Sequence, residues 1–172
     1  MKKLKIFALT VLIANSFWSC EKDDICAEGT PTTPSVVIEF YDAANPENLK
    51  NVTNLKILSP GYAEMENKNG VSKIKIPLKT NEDITTFQFI LNGYDNDLTN
   101  DNTDELTFNY AREDIYVSRA CGYKTVFQLN ENNPVVTDGT NADGLWISTT
   151  TPIEVLQSNI QYDNETHIKI YF

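Results

Sequence analysis

Apolar and polar residues alternate one by one in many segments of the chain. In residues 35–41 the side chains of Val36, Ile38 and Phe40 fall on one parity, and residues 166–172 repeat this pattern. An alternation of this period places the apolar side chains on one face of an extended strand. These segments are therefore predicted to be half-buried β-strands.

Turn residues separate the other segments of this kind. Asn69 and Gly70 predict a hairpin turn, and Pro77 predicts an edge strand because proline cannot donate to a ladder. Residues 42–51 and 130–144 are predicted loops. The remaining predicted strands are residues 52–58, 73–79, 84–91, 106–110, 115–129, 145–148 and 153–157.

This succession of short strands, without an amphipathic helix after the first twenty residues, predicts an all-β fold. Regularly spaced turn signals favour an antiparallel β-sandwich, immunoglobulin-like in its general architecture. A small β-barrel is the alternative.

The first twenty residues follow a different pattern. Three lysines precede a segment over residues 6–13 that is apolar except for one threonine. The small Ser19 stands just before Cys20. This three-part order is typical of an export signal. Because crossing a bilayer takes about 20 apolar residues, the shorter segment favours cleavage over a membrane span.

Two kinds of cleavage fit this leader: ordinary removal, or cleavage just before Cys20 with a lipid on its sulfur, as in bacterial lipoproteins. The charged residues 21–24 resemble a solvated tether and favour lipidation, although Phe17 and Trp18 are bulkier than usual at such a site. The predicted organisation is a lipoprotein signal peptide over 1–19, an acidic tether over 20–34 and a β-sandwich domain over 35–172.

The charge of the chain excludes one class of partner. The formal net charge of −10 becomes −13 when the three leader lysines are removed. Nucleic-acid-binding proteins carry a basic footprint, so nucleic acid is not expected as a partner. The same charge argues against adhesion of the folded surface to anionic lipid.

Three cysteines are present. If Cys20 carries lipid, Cys26 and Cys121 remain as a candidate disulfide in an oxidising compartment, with two separate thiols as the alternative. Cys121 shares its parity with Tyr123, Phe127 and Leu129, which predicts that these side chains face the core. Gly122 is interpreted as a β-bulge.

The search for catalytic and metal sites yields weak candidates. His167 is the only histidine, and the alternation places it on the polar face of the last strand, without a predicted nucleophile or zinc partner. No metal or other cofactor is predicted, except for a weak calcium candidate in the acidic loop at Asp95, Asp97 and Asp101. The EF-hand pattern fails because Asn100 replaces its glycine.

Aromatic side chains near predicted turns form a second candidate site. Rings in such places can stack on sugars or on a protein partner. The candidate ligand surface comprises Trp146, Tyr62, Tyr94 and Tyr162.

Short motifs also resemble a known family. The export signal, CAEGTP over 26–31, YVSRACGYK over 116–124 and HIKIYF over 167–172 are similar to a family of uncharacterised lipoproteins from Bacteroidetes, a domain of unknown function. The resemblance implies a location in the cell envelope and no mechanism. The charged segment Lys22-Asp23-Asp24 also resembles the acidic signals that direct such lipoproteins to the cell surface.

The functional expectation is a membrane-anchored envelope lipoprotein that acts as a non-enzymatic binding or structural module. Its expected location is the outer membrane, on the periplasmic or the surface face, with the membrane, an envelope protein or a glycan as partner. The alternatives are a carbohydrate-binding domain and a hydrolase whose carboxylates, such as Asp114, Glu154 or Asp163, converge on folding.

Overall fold

The computed structural model describes residues 25–60, 68–95, 97–139, 144–148, 151 and 153–172. These residues divide into two compact units. Of the described residues, the larger unit holds those within Thr32–Ile115 and Lys124–Phe172, and the smaller unit holds residues 25–31 and Tyr116–Tyr123. In the described part of the chain, no helix has the length and hydropathy required to span a bilayer.

All regular secondary structure in the described residues is β-strand. The strands are β1 (Val36–Asp42), β2 (Asn45–Leu49), β3 (Lys56–Leu58), β4 (Lys73–Ile76), β5 (Ile84–Leu91), β6 (Asn102–Ser118), β7 (Gly122–Leu129), β8 (Val135–Thr137), β9 (Glu154–Val155), β10 (Asn159–Ile160) and β11 (Ile168–Tyr171).

The strands form two sheets. The first has the order β2-β1-β11-β9, with β4 also paired to β1, and the second has the order β10-β7-β6-β5-β3, with β8 also paired to β6. The first and last strands, β1 and β11, pair in parallel at the centre of the first sheet. The sheets do not close on each other, so the all-β sandwich is confirmed and the barrel alternative is wrong.

One hydrophobic core joins the inward faces of both sheets. Val36, Ile38 and Phe40 of β1 are fully buried, as the alternation predicts, and they belong to the same cluster as the phenylalanines of β5. Burying one such side chain contributes about 1.5–3 kcal/mol. The period of two therefore identifies the residues that hold the sandwich together.

Two predicted loops contain strands. Within 42–51, β2 pairs antiparallel with β1, and within 130–144, β8 pairs antiparallel with β6. Every side chain of β2 is exposed, and the side chains of β8 are at most half-buried. The predictions are wrong because β2 is a strand through backbone pairing without buried side chains, and β8 through backbone pairing with Val135 packed partly against the core.

The predicted turn at Asn69 and Gly70 lies inside a paired segment. Isolated bridges join Leu55 to Lys68 and Val52 to Val71, so both sides of the Asn-Gly pair have the same partner. Gly70 nevertheless has a φ of +67°, in the left-handed region that glycine adopts without steric cost.

The predicted strand over 115–129 is a hairpin. Strand β6 ends at Ser118, and β7 begins at Gly122, where φ is +70°. Gly122 thus closes a turn and is not a bulge. Cys121 is half-buried and Tyr123 is 69% exposed, so their predicted core-facing position is wrong, although Leu129 is buried as expected.

Candidate functional site

Four charged residues of alternating sign cross the outer face of the first sheet. The strand register places Glu39 opposite Lys73 on one side and opposite Lys169 on the other. Lys169 in turn lies opposite Glu154. These four residues form a continuous line across β4, β1, β11 and β9, which we call the charged row.

Glu39 is held by side chains on three sides. Its Oε1 lies 3.0 Å from Lys73 Nζ, and the Tyr41 hydroxyl donates to its Oε2 at 3.0 Å. Partial burial raises the pKa of this carboxyl, but hydrogen bonds from Lys73, Thr166 and Tyr41 outweigh it and leave the pKa below its ordinary value. Glu39 is therefore an ionised, fully partnered group.

Glu154 repeats this arrangement at the other end of the charged row. The Tyr171 hydroxyl donates to its Oε2 at 2.8 Å, and Lys169 Nζ lies 3.4 Å away. The hydrogen bond from Tyr171 lowers the pKa of Glu154. Burial, and then the neighbouring Glu154, raises the pKa of Tyr171 to about 12.

These pKa values indicate what the charged row can do chemically. General acid–base catalysis works best with groups whose pKa lies near the operating pH. Here the carboxyls have lowered pKa values, and those of Tyr41 and Tyr171 are raised. The charged row is thus suited to holding a fixed pattern of charge and hydrogen bonds.

The carboxylates of the predicted hydrolase alternative have separate partners. Asp114 accepts a hydrogen bond from the Thr125 hydroxyl at 2.7 Å, and Asp163 pairs with Lys75 at 3.0 Å. Among the residues that the structure describes, no three His, Cys, Asp or Glu side chains converge as a metal-binding group.

Two of the three calcium candidates, Asp95 and Asp97, accept hydrogen bonds from within their own loop. Asp95 accepts hydrogen bonds from the backbone N–H of Asp97 at 2.8 Å and from Asn100 Nδ2 at 3.0 Å. Asp97 accepts from the backbone and hydroxyl of Thr99, and these bonds lower its pKa. Asp101 is half-buried in the next segment. These contacts stabilise turns and do not assemble a cation site.

Trp146 is a core residue and not part of a ligand surface. It is 6% exposed, its Nε1 donates to the Phe89 carbonyl at 3.1 Å, and its ring stacks on Phe40. Oδ2 of the buried Asp104 accepts hydrogen bonds from the backbone N–H groups of Trp146 and Ile147. These two hydrogen bonds hold the segment in the core without regular secondary structure. The predicted strand over 145–148 and the predicted exposure of Trp146 are therefore wrong.

The other aromatic candidates differ in exposure. Tyr94 is half-buried, with Lys56 Nζ 5.6 Å from its ring centroid. Tyr162 is 55% exposed, with Lys124 Nζ 5.3 Å from its ring. Tyr62 lies outside the described residues.

His167 is buried, which corrects its predicted exposed position. It precedes β11, and its Nδ1 accepts the backbone N–H of Val37 at 2.9 Å. Burial lowers the pKa of His167, and this effect outweighs the opposite influence of the nearby carboxylates Glu165 and Asp163. The histidine is therefore a neutral structural residue that joins the last strand to the first.

The burial of His167 makes stability sensitive to acid. The unfolded chain binds a proton at the ordinary pKa of about 6.5, whereas the folded state resists protonation at that pH. The free energy of unfolding should therefore fall as pH drops below about 6.5, by at most about 1.4 kcal/mol per pH unit, and be independent of this group above it. Urea unfolding between pH 7.5 and 5 measures this slope.

The matched control for this prediction is His167→Asn, which keeps an acceptor near Val37 but does not titrate. The variant should lose less stability between pH 7.5 and 5 than the wild type. Equal slopes would show that the histidine does not contribute to the pH dependence.

The smaller unit contains a disulfide between Cys26 and Cys121, with 4.9 Å between the two Cα atoms. The turn that follows Cys26 contains Gly29 at a φ of +82°. On the hairpin, Tyr116 and Tyr123 are exposed, and their ring centroids are 5.4 Å apart. The alternation pattern does not identify this tyrosine pair, because it predicts residues 115–129 as one continuous strand and so does not place Tyr116 beside Tyr123.

The comparisons with known proteins match one family model. This family model, described as a family of unknown function (DUF6452), matches residues 54–172 of the chain. No curated protein and no solved structure matches the chain.

Proposed function

We propose that this chain, which belongs to the DUF6452 family of unknown function, is a lipid-anchored module of the bacterial cell envelope with a binding or structural role. Its attachment point is Cys20, exposed when the leader over 1–19 is removed. The folded strands then form a negatively charged body outside the cytoplasm.

The disulfide is the observation that carries this proposal. It uses Cys26 and Cys121, so Cys20 is the one cysteine outside the bridge, directly after the leader. Disulfides persist in oxidising compartments, whereas the cytosol keeps thiols reduced. The pairing thus supports export and leaves the Cys20 sulfur available for lipid.

The charged row supports a non-enzymatic role. Its two carboxylates have lowered pKa values. Each accepts a hydrogen bond from a tyrosine hydroxyl and forms an ion pair with a lysine. Such a surface can present fixed charges to an envelope protein or a glycan. It lacks the raised carboxyl pKa that a glycosidase acid requires.

The finer location follows from the leader and the tether. We place the chain among the lipoproteins of Bacteroidetes that its motifs resemble, in the outer membrane. The charged segment Lys22-Asp23-Asp24 after the anchor favours export toward the surface face.

Mass spectrometry of protein from expressing bacteria tests the anchor. The N-terminal peptide should begin at Cys20 and carry the added mass of acyl chains, because the sulfur forms a thioether with diacylglycerol. Cys20→Ser should abolish that mass, whereas the control Ser19→Ala keeps a small residue before the cleavage site and should retain it. An unmodified Cys20 or an intact leader in the wild type would overturn the proposal.

A further inference from the structure

The disulfide places the hairpin turn close to the proposed anchor. Five residues separate Cys20 from Cys26, and an extended chain spans at most about 3.3–3.6 Å per residue. Cys26 therefore remains within about 20 Å of the lipidated sulfur. Cys121, held at a Cα distance of 4.9 Å from Cys26, shares this restriction.

The hairpin arms, and the residue just before Cys26, present apolar and aromatic side chains to solvent. Ile25 is 80% exposed, Tyr116 is 57% exposed and Tyr123 is 69% exposed. The two tyrosine rings pack edge to face and form one surface. Arg119 is also exposed at this turn.

We propose that this surface, formed by Ile25, Tyr116 and Tyr123 and called the hairpin tip, lies in the interfacial layer of the bilayer that holds the lipid anchor. The inference rests on the proposed function, since the anchor supplies the membrane. Tyrosine favours this layer because its ring is apolar and its hydroxyl is polar. An arginine can extend from it to the headgroups.

The charge of the tether selects the kind of lipid. Three of the four residues over 21–24 are acidic, and Glu28 follows the disulfide. These carboxylates disfavour anionic headgroups. The hairpin tip is thus suited to zwitterionic lipid, and its contact with the bilayer depends on the rings rather than on salt-sensitive attraction.

The disulfide fixes which part of the chain faces the membrane. Without it, the chain from Cys20 to the start of β1 at Val36 could span about 50 Å. With it, the hairpin tip cannot leave the neighbourhood of the anchor. The bridge thus acts as a clamp that keeps the hairpin tip next to the anchor.

Fluorescence quenching in vesicles tests this placement. Lipidated mature protein carrying Tyr123→Trp is reconstituted into phosphatidylcholine vesicles with plain or brominated acyl chains. The matched control is Leu98→Trp, an 80% exposed position in the loop before the opposite end of β6. Trp146 is buried in both variants and gives a common background. Brominated lipid should quench the tryptophan introduced at position 123 and leave the one at position 98 unchanged.

A third variant adds Cys26→Ala and Cys121→Ala to Tyr123→Trp. It should still float with the vesicles and keep the buried Trp146 emission, but lose the quenching. Quenching that survives would overturn the role of the disulfide.

The outcomes separate this inference from the proposed function. Wild-type protein that does not float would overturn the anchor itself. Floating protein without quenching at position 123 would overturn only the membrane contact of the hairpin tip. If the tryptophan emission of the Tyr123→Trp variant shifts to the blue in native envelope membranes but not in lipid vesicles, the hairpin tip binds a protein partner, and the proposal is wrong.

Discussion

Replacing Asp104 with alanine is expected to lower the free energy of unfolding by about 2–6 kcal/mol, because each buried donor left unsatisfied costs about 1–3 kcal/mol. Asp104 is fully buried in β6. Its Oδ2 accepts the backbone N–H of Trp146 at 2.8 Å and that of Ile147 at 2.6 Å. Alanine removes the acceptor of both donors.

Urea unfolding followed by tryptophan fluorescence measures this effect. In protein expressed from residue 20 onward, Trp146 is the one tryptophan, and its emission should shift to the red when the anchoring bonds are lost. Asp104→Asn keeps an acceptor of similar shape and should lose less stability than the alanine variant.

The matched control is Glu105→Ala on the same strand, which removes the adjacent, half-buried carboxylate. Away from buried features, substitutions usually change stability by about 0.5 kcal/mol or less. An Asp104→Ala effect as small as that of the control would show that the carboxylate does not anchor the Trp146 segment.

Removing the disulfide with Cys26→Ala and Cys121→Ala is the second large change. The bridged cysteines are 95 residues apart, and for a loop of this length the chain-entropy model gives an upper value of about 4.7 kcal/mol. Residual structure in the unfolded chain reduces this figure. The double variant should therefore be destabilised by several kcal/mol, which urea unfolding measures.

Two comparisons isolate the contribution of the bridge. In protein expressed from residue 20 onward, Cys20→Ser changes a cysteine outside the bridge and should leave the free energy of unfolding unchanged. Reduction of the wild type with dithiothreitol should reproduce the loss seen in the double variant. If neither reduction nor substitution alters the urea midpoint, the bridge does not restrict the unfolded chain.

The charged row shows how strand order creates a surface from distant residues. Glu39 and Glu154 are far apart in sequence, but the parallel pairing of β1 with β11 places Lys169 between them. The outward position of Glu39 could be predicted from the alternation of β1. Its neighbours could not, because alternation does not indicate which strand lies beside which.

The errors in the sequence analysis share a physical origin. Local parity assigns Trp146 to a surface because it has no information on Asp104, which binds the Trp146 segment from a different strand. Alternation also predicts an exposed His167, because the burial of its ring depends on Val37 and on the loop before β11. Strand β2 (NPENL) has no alternation of apolar and polar residues.

The sequence by itself determined the fold class, most strand positions and the inward residues of β1, because alternate side chains of any strand must point to opposite faces. It also supplied the cysteine count from which the bridge is predicted. Tertiary structure decided the parallel pairing of β1 with β11, the burial of His167 and Trp146, and the charged row. These features depend on contacts between residues far apart in the chain, and such contacts arise only when the sheets assemble.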